Sequence, residues 1–156
     1  MFGFIKKEKH LTAPASGVVI SLAKVKDEVF SKKILGDGFA VIPNDGNICS
    51  PANGVLTDIT ETNHAYCITA DDGLEILVHI GIDTVELRGK GFTPIAKVGD
   101  KLQNGTPLAR VDLSVLKDAG LSADVVTVVT NTDKLKHFEV LETSYANAGD
   151  RAFIYK

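Results

Sequence analysis

Cysteine is scarce in this chain of 156 residues: only Cys49 and Cys67 are present. That is too few for a disulfide framework and reads as two reduced thiols in a cytoplasmic protein. Long apolar runs are missing too. No stretch approaches the ~18 uninterrupted apolar residues of a spanning helix, so no stable membrane insertion is expected. Nor is there an excess of basic charge. Lys and Arg number 17 against 20 Asp and Glu, a formal net charge of −3. Nucleic-acid binding needs clustered cations against phosphates, so nucleic acid is not an expected partner. At the N-terminus Phe2, Phe4 and Ile5 precede Lys6, Lys7 and Lys9, the reverse of a secretory leader's order. Residues 1–10 are expected to form a short tail and residues 11–156 a single domain.

What is present is strand-and-turn material. Roughly a quarter of the residues are Val, Ile or Thr, types that fit a pleated surface, and 14 are Gly. Size scaling has a chain of this length burying about two-thirds of its unfolded surface, enough for a core without staples. Short apolar runs recur between turn residues: Gly17 to Leu22, Phe39 to Ile42, Gly54 to Ile59, Ala65 to Thr69, Leu74 to Ile80, Pro107 to Val111, Val125 to Val129 and Ala152 to Tyr155. Their regular spacing predicts an all-β fold, an antiparallel sandwich or barrel. Helical turns are expected to be few and short, with one from Leu113 to Ala119 capped by Asp112 and stopped at Gly120.

The chain also repeats itself. Pro14-Ala15-Ser16-Gly17-Val18-Val19 matches Pro51-Ala52-Asn53-Gly54-Val55-Leu56. Each copy is followed by an Asp-Gly pair expected to turn into a strand, Asp37-Gly38 and Asp72-Gly73. Gly99-Asp100 and Gly149-Asp150 read as two copies of one further turn. An internally duplicated β-motif is the expected origin, and it repeats too few times for a solenoid.

Of the four histidines, His10 and His137 lie in polar surroundings and read as surface residues. His64 and His79 stand on the two arms of the hairpin that turns at Asp71-Asp72-Gly73. A loop of even length would put both imidazoles on one face, whereas a three-residue loop would put them on opposite faces. The Asp-Gly signal favours the even loop, so the two rings are expected to share a face. Along the second arm Leu74, Ile76, Val78 and Ile80 point one way and Glu75, Leu77 and His79 the other. Cys67, three residues beyond His64, is expected to point away from it. Facing imidazoles can hold a metal or act on one phosphoryl group. In the second case one ring nitrogen attacks phosphorus and the other ring donates to the phosphoryl oxygens. Thr62 shares the parity of His64 and can orient a ring.

These residues carry a resemblance. Thr62-Asn63-His64-Ala65-Tyr66, then Leu77 through Leu87, then Gly89-Lys90-Gly91-Phe92 are similar to the glucose-type enzyme IIA domain of the bacterial sugar phosphotransferase system. The similarity extends upstream through Ala13-Pro14-Ala15-Ser16-Gly17 and downstream through Val98-Gly99-Asp100. It implies an antiparallel β-sandwich and a phosphocarrier, so that residues 11–156 would be an enzyme IIA domain. Such domains take a phosphoryl group from phosphohistidine on the carrier HPr and pass it to a cysteine on the IIB domain of a sugar permease. The resemblance makes His79 the acceptor, His64 the neighbour that assists onward transfer, and Thr62 a hydrogen-bonding partner within the site. It makes Asp27 and Asp83 rim aspartates, and Val29, Phe30 and Leu77 a partner-docking patch. Thr60 stands where some members carry an aromatic residue. Regulatory protein targets are known in the family, and no cofactor or constitutive metal is implied.

The competing reading is a zinc-dependent hydrolase of related β-architecture. Catalytic zinc needs a third protein ligand, and the chain has no His-x-His pair. A biotinyl or lipoyl carrier would present a lysine at a hairpin tip, and Asp133-Lys134-Leu135 matches that pattern only partly.

Overall fold

A computed structural model describes residues 8–156. In chain order the elements are β1 (Lys9–Thr12), β2 (Gly17–Ser21), a 3-10 turn at Leu22–Lys24, α1 (Glu28–Ser31), β3 (Asp37–Pro43), β4 (Asn47–Cys49), β5 (Gly54–Ile59), β6 (Ala65–Ala70) and β7 (Glu75–Ile80). After a second 3-10 turn at Thr84–Leu87 come β8 (Phe92–Pro94), β9 (Lys101–Leu102), β10 (Pro107–Val111), α2 (Leu113–Asp118), β11 (Val125–Val129), β12 (Phe138–Val140), β13 (Thr143–Ala146) and β14 (Arg151–Tyr155). Every expected run carries a strand, and α2 follows its predicted cap, with Asp112 accepting from the Ser114 amide. Lys9 and His10, expected in the tail, belong to β1. Residues 1–7 lie outside the described residues.

Eight strands form one sheet in the order β13-β2-β3-β11-β7-β6-β5-β9, and two three-stranded sheets, β1-β14-β12 and β4-β10-β8, complete the sandwich. The main core gathers Phe39, Leu56, Tyr66, Ile68, Val78, Ile80, Leu108 and Phe153. The large sheet is also covered on part of its other face. There Leu22, Val25 and Phe30 pack on Ala40, Val126 and Val128, with Leu77 at the margin. This double cover explains β11, Val-Val-Thr-Val-Val, which is buried at every position and has the continuous apolar pattern of a strand covered on both faces.

The duplication is visible in the backbone. At Gly17 and at Gly54 a carbonyl of the neighbouring strand, from Ile42 and Thr69 respectively, occupies the space a Cβ would need. Gly99-Asp100 and Gly149-Asp150 make the same turn. Asp100 and Asp150 each accept, through Oδ2, the amide three residues back, at 2.9 and 2.8 Å. Asp37-Gly38 is not a turn. Both residues sit in the ladder of β3, opposite Val129 and Val128 of β11.

The β6–β7 register differs from the expected one. Ala65 pairs with His79, Tyr66 with Val78 and Cys67 with Leu77. Ala70 N–H donates to the Leu74 carbonyl and Gly73 N–H to the Ala70 carbonyl, so the loop has three residues, Asp71-Asp72-Gly73. Gly73 takes φ +95°, which makes this a turn closed by a left-handed glycine rather than a two-residue Asp-Gly turn. By pleat alternation alone, this register would send His64 and His79 to opposite faces. It also puts Cys67 on the face of Leu77 and His79, not away from the site. Its thiol is pushed above the ordinary value by burial and by the nearby Asp58 and Glu75 carboxylates, so it is not an activated nucleophile.

Candidate functional site

The two imidazoles meet despite that register. Their ring centroids are 4.9 Å apart and the planes lie edge to face at 78°. The reason is that β6 starts at Ala65. His64 is the last residue of the turn 60–64, where Asn63 takes a left-handed φ of +61°. The pleat's alternation applies only inside the ladder, so His64 is free of it. Its carbonyl still accepts from the Ile80 amide at 2.8 Å, which keeps the turn against β7.

His79 sits on the face of β7 that its parity predicted. Its Nδ1 lies 2.7 Å from the carbonyl oxygen of Gly81. A carbonyl only accepts, so Nδ1 carries the proton and Nε2 keeps its lone pair. On the same ring Phe30 packs edge-on, centroids 5.2 Å apart. Burial lowers the His79 pKa below the ordinary imidazole value, opposed by the Gly81 carbonyl and by Asp27 and Asp83. The His64 pKa is lowered too, by burial and then by His79 itself. The pair is therefore poised as two neutral rings, one of them with a free in-plane lone pair.

Thr62 is where the sequence put it: its hydroxyl is 2.6 Å from Nδ1 of His64. Around these three, Asp27 caps α1, accepting from the amides of Val29 and Phe30 at 2.9 and 3.3 Å. The cap aims this short helix so that Phe30 faces inward and Val29 stays exposed. Asp83 is exposed and begins the 3-10 turn after β7 with a left-handed φ of +60°. Leu77 is half-buried beside the small apolar cluster. The structure thus gathers Thr62, His64, His79 and Phe30 in contact and arranges Asp27, Val29, Leu77 and Asp83 on the elements around them. Sequence reasoning missed α1, which at four residues is too short for a helical period to show. It also missed the Gly81 carbonyl that orients the His79 ring.

Residues 9–135 match the family described as phosphoenolpyruvate-dependent sugar phosphotransferase system, EIIA 1. The chain belongs to this family. Among its relatives within and around the family, the glucose-specific EIIA component of Halalkalibacterium halodurans is 36% identical over 163 residues, covering 99% of this chain and 94% of that protein. The beta-glucoside-specific EIIBCA component of Bacillus subtilis is 46% identical over 130 residues, 83% of this chain. The chain spans only 21% of that longer protein. Among solved structures, glucose permease IIA from Mycoplasma capricolum superposes with a TM-score of 0.86 at 35% identity, covering 99% of both chains. The EIIA fold is thus the one built here: antiparallel sheets with two short helices among the described residues. No described helix is long and apolar enough to cross a membrane.

Proposed function

We propose that this EIIA domain is a phosphocarrier of sugar uptake, with His79 as the covalent acceptor. The observation that carries the reading is the bond from His79 Nδ1 to the Gly81 carbonyl, which leaves Nε2 as the nucleophilic nitrogen beside a second imidazole. Nε2 attacks the phosphorus of phosphohistidine on HPr. The donor's N–P bond breaks and its electron pair returns to the donor ring. In the second half-reaction a cysteine thiolate of a permease IIB domain attacks the same phosphorus and the Nε2–P bond breaks. Because Nδ1 holds its proton on the carbonyl, the ring departs neutral rather than as an anion, which eases the second step.

His64 serves as the donor to the phosphoryl oxygens. Its Nδ1 faces the Thr62 hydroxyl, so Nε2 is the nitrogen whose proton meets the charge that develops there. Asp27 and Asp83 form an acidic rim, and Val29, Phe30 and Leu77 an apolar centre, a surface suited to fast, weak docking of basic partners. The family's fused members, in which EIIA is continuous with IIB and IIC parts, support a IIB partner. The reading places the domain, whose first strand begins at Lys9, in the cytoplasm with no cofactor. A zinc hydrolase is disfavoured, since among the described residues no three His, Cys, Asp or Glu side chains come together as metal ligands.

The test is incubation with phosphorylated HPr, followed by mapping of acid-labile phosphate and challenge with a panel of IIB domains. Phosphate on His79 that moves to a IIB cysteine is the expected result. No uptake, or uptake on another residue, overturns the reading. Screening should slow the encounter as salt rises. A rate indifferent to ionic strength, with normal HPr binding after Phe30→Ser, would remove the docking surface from the proposal.

A further inference from the structure

Two hydroxyls, not one, converge on Nδ1 of His64. Thr62 Oγ1 lies at 2.6 Å and Thr60 Oγ1 at 3.3 Å. Their hydrogen-bonding situations differ. Thr60 Oγ1 already accepts from the backbone N–H of His64 at 3.1 Å and from that of Ala65 at 3.0 Å. A hydroxyl oxygen has two lone pairs and one proton, so this oxygen is saturated as an acceptor and has only its proton left to give. One alternative taker is the Ala65 carbonyl at 3.4 Å, which already receives the Thr60 amide at 3.0 Å. Thr62 makes a single bond within the site and can turn its hydroxyl either way.

We propose that Thr60 is a positioning residue of this site, holding His64 as the Nε2–H tautomer with its ring turned to His79. It does so twice over. Its oxygen clamps the two amides at the end of the turn 60–64, the segment that releases His64 from pleat alternation. Its proton faces Nδ1, where a proton on the ring would meet it head-on, so Nδ1 is kept as an acceptor and Nε2 as the donor. Thr62 alone fixes neither, because it can accept from Nδ1–H as readily as donate to Nδ1. The proposal deepens the phosphocarrier reading, in which Nε2–H of His64 meets the phosphoryl oxygens.

The experiment is long-range ¹H–¹⁵N NMR of the His64 ring in the full chain, joined to single-turnover transfer in both half-reactions. The wild type should show the Nε2–H tautomer. Thr60→Val, matched in shape but without hydroxyl, should shift His64 toward a mixture containing Nδ1–H. It should slow delivery to the IIB cysteine by about 10–100-fold, the range expected of a misplaced group, while KM for the partner stays put. Thr60→Ser should restore both. If Thr60→Val fails to fold, Thr60→Cys, a similar size with a much weaker donor, takes its place. A pure Nε2–H tautomer with unchanged delivery in the hydroxyl-free variant overturns the proposal. So does slowed delivery with the tautomer unmoved, which would mark Thr60 as merely structural. The spectroscopic arm reads the tautomer whether or not phosphate is carried, so failure of the phosphocarrier reading would appear separately, as absent uptake in the wild type.

Discussion

The two histidines of the site are held by two different kinds of structure. His79 stands on β7, hydrogen-bonded to β11 on one side and β6 on the other, and its ring is anchored by a backbone carbonyl. His64 stands at the end of a turn, and its ring is anchored by side-chain hydroxyls from the same turn. A central strand between two ladders cannot shift without breaking both, whereas a turn can respond to a single side chain. In the proposed reading the acceptor of a covalent bond occupies the rigid place, and the assisting group the adjustable one. Substitution at each histidine, and at the group that holds it, tests that contrast.

The largest effect belongs to the strand. His79→Gln should abolish phosphorylation, since a carboxamide is no nucleophile at phosphorus. The assay is uptake from phosphorylated HPr with mapping of the labelled residue, and label on His64 would invert the comparison. His64→Gln should leave uptake standing, because a carboxamide still donates one hydrogen bond. Delivery to the IIB cysteine should fall by about 10²–10⁴-fold, the usual cost of losing an acid–base or oxyanion partner. Equal loss in both half-reactions would erase the division of roles.

A smaller effect is expected from the carbonyl that anchors His79. Gly81 has φ +79°, and a Cβ there would strike the Thr84 side chain and come within 2.9 Å of the Ser122 carbonyl. Gly81→Ala should cost about 1–3 kcal/mol of stability by denaturant melt, together with slower uptake as the Nδ1 anchor moves. A neutral substitution would mean that the strand end is less rigid than the contrast requires.

The smallest effect is the pH response of stability. Both ring pKa values are lowered on folding, first by burial. The unfolded chain therefore binds protons more readily, and stability rises with pH across this range. It should be full above the ordinary imidazole pKa of about 6.5 and decline as pH falls from there through the lowered folded values. Melting temperatures between pH 7.5 and 5.5 measure it. His79→Gln should flatten part of the slope, and an unchanged slope in both histidine variants would place the titration elsewhere.

Much of this was legible in the residues. The runs from Gly17 to Tyr155 became strands because β-branched types between Gly and Asp turns have few other stable options. The twin Pro-Ala-x-Gly segments announced a duplicated sheet, because only Gly admits the neighbouring carbonyl. The face of His79 followed from the period of two along β7, and Thr62 from its place beside His64. Other features were not legible. The four residues of α1 carry no period to read, and what makes them a helix is the Asp27 cap and the apolar face of β11 and β3 beneath Phe30. The choice between a two- and a three-residue loop at Asp71-Asp72-Gly73 rests on one left-handed glycine, which the Asp-Gly signal alone does not specify. The contact of the two rings is expected for a reason the register contradicts, and it exists because His64 belongs to the turn 60–64 and not to the pleat from which its direction is read. Local chemistry determined on which face of β7 His79 lies. Only the tertiary structure decided that His64 meets it, because hydrogen bonds among residues 60–65 and to Ile80, not alternation along a strand, set that ring's direction.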